Sequence, residues 1–221
     1  LTKNTVDKFL FVSQSLSDLH LKKTKNVNVI PCLVNRELFY FDEGLRAKYR
    51  HKLGFDNNDC VALYSGSVAL YQGVTEVDRY FKRLLKKYSN IKICIVTPNS
   101  SISKEIFIEC SAYSDRVLFL TLPFDEMNAI YNASDFGILL RNNDSINRVE
   151  SPTKFGEYCM SGLPVIMNDS VAQAVEISKD IGNYVSADFA ELGSVKKMDR
   201  VLISKNALSY FSRDFYRTRY F

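Results

Sequence analysis

The sequence predicts an α/β fold, in which a mostly parallel sheet carries helices on both of its faces. Short runs rich in Val, Ile, Leu and Phe alternate along the chain with longer segments of helical period. This alternation is typical of parallel strands joined by right-handed helical crossovers. The short runs are also almost continuously apolar, as strands are when both faces of their sheet are covered. We therefore expect a Rossmann-like domain.

Seven segments are predicted to be strands, because each is a short apolar run between polar or turn-forming residues. In chain order they are 9–13, 27–31, 60–66, 91–97, 116–121, 136–141 and 164–168. The segments 73–89 and 123–134 are predicted helices, since their apolar residues fall on one stripe. The first of them ends in the basic run 82–87, which suits a helix C-terminus and which we interpret as a solvent-exposed face.

The composition disfavours several classes of protein. The 221 residues suffice for one large α/β domain or two small ones, and the 46% hydrophobic and 24% charged residues are globular values. No apolar run is long enough to span a bilayer, and the start does not resemble a signal peptide. Five scattered cysteines and two histidines favour a reducing compartment and argue against a zinc site or a Ser-His-Asp triad. The net charge of +4 is compatible with an anionic ligand or a membrane surface.

The stretch 148–169, RVESPTKFGEYCMSGLPVIMND, predicts a loop, a short helix and a strand. Ser151 is a good N-cap and Pro152 a good first helical residue, so we expect the helix to begin there and to end near Gly162. The free N–H groups around Thr153 and Lys154 could receive a phosphate, and Lys154 would add a full charge.

Two further residues of this helix carry predictions. Glu157 lies one turn after Thr153 and, when ionised, is suited to accept hydrogen bonds from a pair of sugar hydroxyls. Gly156 predicts a close approach by a neighbouring group, because glycine is unfavourable inside a helix. A capped helix with one Lys and one Glu is also ordinary, so this stretch alone leaves binding and a purely structural role open.

A second loop favours binding. The stretch YSGSVALYQGV, 64–74, follows an apolar strand and precedes the long helix, with Gly66 and Gly73 bracketing it. It is neither G-x-G-x-x-G nor a P-loop, but such a loop can bring backbone N–H groups to a phosphate. Ligands of open α/β sheets bind beyond the carboxyl ends of the strands, which is where both loops are expected.

The segment SPTKFGEYCMSGLPVI, 151–166, resembles the signature of the retaining, nucleotide-sugar-dependent glycosyltransferases of family 4. Further stretches resemble other family segments in the same order: VNVIPCLVNRELF, YSGSVALYQGV, YNASDFGILLR and the closing ALSYFSRDFYRTRYF. The resemblance covers nearly the whole chain from Val27 onward. It implies a GT-B enzyme, in which two Rossmann-like domains face each other and the carboxy-terminal one binds the nucleotide sugar.

This chain resembles the carboxy-terminal domain alone. Residues 1–26 are then expected to be a leader from the absent acceptor domain and hinge, and residues 27–221 the donor-binding domain with its C-terminal helix. Since the chain begins at Leu1 and not at Met, we expect a fragment that transfers little sugar without its amino-terminal domain. Members of the family retain the anomeric configuration and need no bound metal, so neither a metal nor a cofactor is expected beside the nucleotide sugar.

Carried over by position, the resemblance implies that Glu157 holds the ribose hydroxyls. The N–H groups of Thr153 and Lys154 would meet the diphosphate, and Gly66 and Ser67 would line its other side. The complete predicted donor-binding set is Gly66, Ser67, Gln72, Arg141, Ser151, Thr153, Lys154 and Glu157, with Glu150 and Lys154 as catalytic candidates and no metal ligand.

Three positions depart from the family pattern. Ser67 and Gln72 replace an Arg and a Lys that would bind phosphate, and we hypothesise that Lys154, with Arg141 or Arg148, supplies the charge instead. The family's first Glu, eight positions before the second, falls on Val149, one residue before Glu150.

These departures leave two interpretations open. In the first, the full protein transfers a sugar to a glycan or lipid-linked acceptor, as in bacterial surface polysaccharide synthesis, in the cytoplasm or in peripheral contact with the inner face of its membrane. In the second, the chain is a non-catalytic binding or scaffold module with a decayed nucleotide site. Nucleic-acid binding through the basic aromatic tail 212–221 is disfavoured, because the charge is mild and no strand carries stacked aromatics.

Overall fold

A computed structural model describes residues 8–20, 26–188 and 191–220 of the chain. The strands are β1 (Phe9–Phe11), β2 (Val27–Val29), β3 (Cys60–Ser65), β4 (Ile91–Val96), β5 (Val117–Leu120), β6 (Phe136–Leu139), β7 (Val165–Met167) and β8 (Tyr184–Ser186). The first six helices are α1 (Gln14–His20), α2 (Glu43–Lys52), α3 (Val74–Lys87), α4 (Ser100–Ile106), α5 (Ile108–Ser111) and α6 (Met127–Ala133). The others are α7 (Ser145–Val149), α8 (Thr153–Met160), α9 (Ala172–Ile181), α10 (Leu192–Val195), α11 (Arg200–Phe211) and α12 (Arg213–Tyr220).

Six strands form one parallel sheet in the order β5-β4-β3-β6-β7-β8. Strands β3 and β6 lie at its centre, and the chain order reverses between them, which is where open α/β sheets bind ligands. Helices α2, α6, α8, α9 and α11 contribute to the core on one face, and α3, α5 and α10 to the core on the other. The predicted parallel sheet with helices on both faces is confirmed.

Each of the seven predicted strands contains a strand, but two of them do not join this sheet. Strands β1 and β2 pair with each other in parallel, Phe9 opposite Val27. The predicted leader, 1–26, and the predicted donor domain, from 27, thus each contribute one strand to this small sheet. Residues 1–7 and 21–25 lie outside the described residues, and the boundary at 26/27 stays a prediction.

The segments around the small sheet are tied to the loop that precedes α8. The Ser13 hydroxyl donates to the Val149 carbonyl at 2.7 Å, and the Cys32 N–H donates to the Ser151 hydroxyl at 3.0 Å. Both bonds end on the residues that flank Glu150, so they fix the backbone at this position.

The close approach predicted at Gly156 is confirmed. A Cβ there would lie 2.8 Å from Val34 Cγ2 and 2.9 Å from Phe211 Cδ1. Both side chains are buried, so α8 packs against the chain around Val34 and against α11 through a face that has no room for a methyl group.

We predict that Gly156→Ala destabilises the fold by about 1–3 kcal/mol, because overpacking outweighs the roughly 1 kcal/mol that alanine gains in a helix. Urea unfolding would measure the change. The matched control is Gly193→Ala in α10, where a Cβ would meet nothing within 4 Å. A Gly156→Ala protein as stable as the Gly193→Ala protein would contradict the prediction.

Candidate functional site

The start of α8 differs from the sequence prediction. The helix begins at Thr153, one residue later than expected, and its N-cap is Pro152, which makes no side-chain capping bond. The predicted capping role of Ser151 is wrong, because its hydroxyl accepts the N–H of Cys32. Thr153 is exposed and Lys154 half-buried. Since no side chain caps the helix, its first N–H groups remain available to an anion.

A hydrogen-bonded network lies behind this helix start. The Glu157 Oε2 atom accepts from Lys154 Nζ at 3.0 Å and from the Tyr131 hydroxyl at 2.8 Å. The Tyr131 hydroxyl lies 3.1 Å from the Ser65 hydroxyl, at the end of β3. The Glu157 side chain is 5% exposed and that of Lys154 is 31% exposed. The carboxylate is therefore nearly enclosed, and the Lys154 ammonium lies between it and the solvent. Burial and the neighbouring Glu157 carboxylate raise the pKa of Tyr131 well above its ordinary value, which keeps this hydroxyl a donor.

The loop 66–73 directly follows β3, whose last residue, Ser65, belongs to this network. The Tyr64 hydroxyl donates to the Ser67 carbonyl at 2.6 Å, and the Gly66 N–H donates to the Val96 carbonyl at 3.1 Å. The loop ends in a single 3-10 turn, Leu70–Gln72, followed by Gly73 with a φ of 69°. A Cβ on Gly73 would lie 2.6 Å from the Leu140 carbonyl oxygen. Both the positive φ and this lack of room therefore require glycine at position 73.

Arg141 lies next to two other predicted site residues, Gln72 and Glu150. Its side chain is only 5% exposed and donates from Nη1 to the backbone carbonyl of Gln72 at 3.0 Å and to the Gln72 side-chain oxygen. Its Nε atom lies 3.6 Å from Glu150 Oε2, beyond hydrogen-bond distance. Both of those atoms are buried without a hydrogen-bond partner. Arg148, the alternative source of charge, is exposed and donates to Asn143 Oδ1.

The environment of Glu150 perturbs its ionisation. Burial raises the pKa of Glu150, Arg141 opposes this rise, and Asp144 adds to it. A carboxyl whose pKa is higher in the folded than in the unfolded state binds more protons when folded, so its contribution to stability falls as the pH rises above the unfolded value of about 4.3.

We therefore predict that Glu150→Gln flattens the pH dependence of stability. Between about pH 4.3 and neutrality, wild type should lose unfolding free energy relative to the variant, because only wild type must ionise a buried carboxyl. Urea unfolding of both proteins over this range would test it. A difference between them that stays constant with pH would contradict the prediction.

An open pocket of about 300 Å³ adjoins the helix start and the loop. It contains three of the predicted donor-binding residues, Gly66, Ser67 and Lys154, and the segment around Thr97 that follows β4. One wall is apolar and consists of Leu122, Phe124 and Met127, with Phe124 58% exposed.

Sequence reasoning missed Phe124, Leu122 and the polar role of Tyr131. The pattern of α6 indicates only that Tyr131 lies on a buried stripe, and nothing in that pattern reports the direction of its hydroxyl. Phe124 could have been predicted as a site residue, because it follows the carboxyl end of the predicted strand 116–121, where open α/β sheets bind ligands.

Among residues 8–20, 26–188 and 191–220, no three His, Cys, Asp or Glu side chains are grouped so that they could hold a metal ion. In the same ranges, no helix combines the length and the apolar character that crossing a bilayer requires.

Comparisons by sequence found no matching family model and no matching curated protein. Comparison of structures found many similar chains. A glycosyltransferase from Rickettsia africae has a TM-score of 0.72 at 15% identity, covering 96% of this chain and 61% of that one. Anabaena HepE, solved in complex with UDP and glucose, has a TM-score of 0.70 at 14% identity, covering 95% and 62%.

A third similar structure is the C-terminal domain of the group 1 glycosyltransferase LpcC from Francisella tularensis. It has a TM-score of 0.53 at 17% identity, and the match covers 85% of this chain and 98% of that domain. The chain thus spans about three fifths of the two longer glycosyltransferases and nearly all of an isolated carboxy-terminal domain. The architecture of this chain is that of one half of a GT-B glycosyltransferase.

Proposed function

We propose that the chain is the donor-binding half of a retaining family 4 glycosyltransferase, which uses a nucleoside-diphosphate sugar. The observation that carries this proposal is the pocket itself, which joins an apolar wall, the Ser67 loop and the ammonium of Lys154, with the enclosed Glu157 carboxylate directly behind that ammonium. The apolar wall suits a base, the Glu157 carboxylate suits a ribose, and the Ser67 loop with the Lys154 ammonium suits a diphosphate.

We assign each part of the donor to one region of this site. Leu122, Phe124 and Met127 offer apolar contact to a base. Glu157 accepts hydrogen bonds from the ribose hydroxyls, because an ionised carboxylate can accept more bonds than Tyr131 and Lys154 supply. The diphosphate meets the uncapped N–H groups at the start of α8, and Lys154 turns from Glu157 towards it.

Arg141 takes over the charge that Ser67 and Gln72 do not supply. Gln72 holds the Arg141 guanidinium against the loop. Burial raises the pKa of the nearby Tyr64 hydroxyl to about 12, and Arg141 opposes this rise. A cation fixed in this low-dielectric position stabilises the negative charge that develops on a departing diphosphate. The nearby Glu150 carboxylate partly offsets the positive charge of Arg141. Arg148 is too exposed to supply a fixed positive charge in place of Arg141.

The whole protein is proposed to transfer the sugar to a glycan or lipid-linked acceptor bound by an amino-terminal domain, without a metal. A role in surface polysaccharide synthesis at the inner face of the cytoplasmic membrane fits this chemistry. The alternative, a scaffold module with a decayed site, is motivated by Ser67 and Gln72 and predicts a folded protein that binds no nucleotide.

Calorimetric titration of the chain with UDP, GDP, UDP-glucose and GDP-mannose tests the proposal. We expect saturable binding of one nucleoside diphosphate, and HepE, solved with UDP, makes UDP the first probe. Lys154→Gln should weaken binding of the diphosphate about tenfold but leave the corresponding nucleoside unaffected, because only the phosphates meet the ammonium. A folded chain that binds none of the four at millimolar concentration favours the scaffold interpretation.

A further inference from the structure

The turn at the end of the loop 66–73 is not held in place by its own side chains. None of the side chains of the turn, Leu70–Gln72, is buried, and Leu70 is 86% exposed. The internal hydrogen bonds of the turn are donated by the N–H groups of Gln72 and Gly73. A single 3-10 turn with so little burial has a low local stability, so contacts from outside must fix its position.

Three side chains of the segment 141–147 supply these contacts. Each donates to one of three successive backbone carbonyls of the turn, at 3.0 to 3.1 Å. The bonds run from Asn142 Nδ2 to Leu70, from Asn147 Nδ2 to Tyr71 and from Arg141 Nη1 to Gln72. Every carbonyl of the turn therefore meets a donor from a segment that lies 69 to 76 positions away in the chain.

The segment that carries the donors is itself well anchored. The Arg141 carbonyl accepts from Asn168 Nδ2 at 2.8 Å and from the Ser170 hydroxyl at 2.9 Å, just after β7. The Asp144 carboxylate caps α7 by accepting the N–H of Asn147 at 2.8 Å, and it also accepts Asn147 Nδ2 at 3.1 Å. The Asn147 amide is thus held in one orientation, with its donors directed at Asp144 and at the turn.

Hydrogen bonding explains Asn147 better than packing does. The residue is fully buried, and its side-chain oxygen has no hydrogen-bond partner. A buried oxygen without a partner is unfavourable, and a leucine of similar size would fill the same space without that cost. We therefore attribute the presence of an amide at this position to its bonds with the Tyr71 carbonyl and Asp144.

We propose that Asn142 and Asn147 are positioning residues of the donor site, which hold the loop 66–73 in the conformation that receives the diphosphate. The inference rests on the proposed function, in which Gly66 and Ser67 of this loop line the diphosphate; both residues line the pocket. Neither asparagine carries a charge, so both act on the donor through the loop and not through attraction to its phosphates.

Amide hydrogen exchange of the chain without nucleotide tests whether the loop is held. Asn147→Leu should speed the exchange of the Gln72 and Gly73 N–H groups about fivefold, because one hydrogen bond changes an opening equilibrium by about this factor. Asn142→Ala should speed it about twofold, since its bond is exposed to water. This exposed variant tests the same contacts if the buried substitution prevents folding.

Calorimetry tests whether holding the loop matters for the donor. Asn147→Leu should weaken the binding of UDP about two- to fivefold, because the apparent affinity falls with the fraction of loops in the receiving conformation. Binding of uridine should be unchanged, since a nucleoside has no phosphate to meet the loop. This difference between UDP and uridine is not expected from a general loss of stability.

The matched control is Asn183→Leu, just before β8. Asn183 is also fully buried and its side-chain oxygen also lacks a partner, but its side chain donates to Cys159 and Leu163 and not to the loop. This variant should leave the exchange of Gln72 and Gly73 unchanged.

Two results would overturn the inference: loop exchange that is unchanged in both Asn142→Ala and Asn147→Leu, or faster exchange in Asn147→Leu with an affinity for UDP equal to that of wild type. A wild-type chain that binds no nucleoside diphosphate would instead overturn the proposed function. The exchange experiment needs no nucleotide, so it would still decide whether the two asparagines hold the loop.

Discussion

Replacing Glu157 by alanine is expected to weaken the binding of UDP, or of whichever nucleoside diphosphate the chain prefers, by about 100-fold. Hydrogen bonds to a charged acceptor contribute about 1.5–3 kcal/mol each, and the ribose would lose its carboxylate partner. The variant also leaves Lys154 and the Tyr131 hydroxyl without the acceptor that they share at 3.0 and 2.8 Å. Calorimetry would measure the affinity, and urea unfolding would show whether the fold is intact.

Two further variants separate binding from folding. Glu176→Ala removes an exposed carboxylate from α9 and should change neither property. Glu157→Gln retains one acceptor oxygen, so we expect a loss of about tenfold, between those of wild type and alanine. If Glu157→Ala bound the diphosphate as tightly as wild type while remaining folded, the assignment of Glu157 to the ribose would be wrong.

The central strands could be predicted because burial on both sheet faces leaves a direct mark on the sequence. Every residue of β3 is buried, and the run CVALYS is correspondingly apolar. Strand β8 escaped prediction because it is three residues long and half-buried at the edge of the sheet, so few of its positions need to be apolar.

Helix α2 escaped prediction for a different reason, since polar contacts contribute much of its attachment. Arg46 and Arg50 reach Asp135 at 2.5 and 3.2 Å, and Asp135 also accepts the N–H of Val61 at 2.7 Å. Asp42 caps the helix by accepting the N–H of Leu45. A periodicity of apolar residues is a poor detector of such a helix, because cations paired with a buried carboxylate count as surface residues in the pattern.

The site could be predicted in its local parts but not in its long-range ones. The contact of Lys154 with Glu157 follows from their spacing of three residues on one helix. The contact of Arg141 with Gln72 joins residues 69 positions apart and depends on the path of the loop 66–73. No local pattern specifies that path, although Gly73 marks the point where the loop must turn.

Among the variants considered, replacing Arg200 is expected to lower the free energy of unfolding the most. The Arg200 guanidinium donates to five backbone carbonyls and lies 4.6 Å from the centre of the Phe41 ring. These carbonyls belong to Tyr131, Asn132, Ser134, Ser161 and Gly162. They cluster at the C-termini of α6 and α8, where the orphan carbonyls and the negative end of each helix dipole favour a cation. One side chain therefore joins the ends of the two helices that carry Tyr131 and Glu157.

Arg200→Lys keeps the charge but has three donors for five carbonyls, so we expect it to lower the unfolding free energy by about 2–4 kcal/mol. Arg200→Met should lower it further, since all five carbonyls lose the bond from residue 200 and only those of Asn132 and Ser134 keep a side-chain donor, Arg46. The control is Lys205→Met, at an exposed position of the same helix, with an expected change within about 0.5 kcal/mol in urea unfolding. Because Arg200 holds α6 against α8, Arg200→Lys should also loosen the contact between Tyr131 and Glu157 and weaken nucleotide binding under conditions where it is fully folded. A variant as stable as the control would show that water replaces the guanidinium at these carbonyls, and that packing alone keeps the two helices in place.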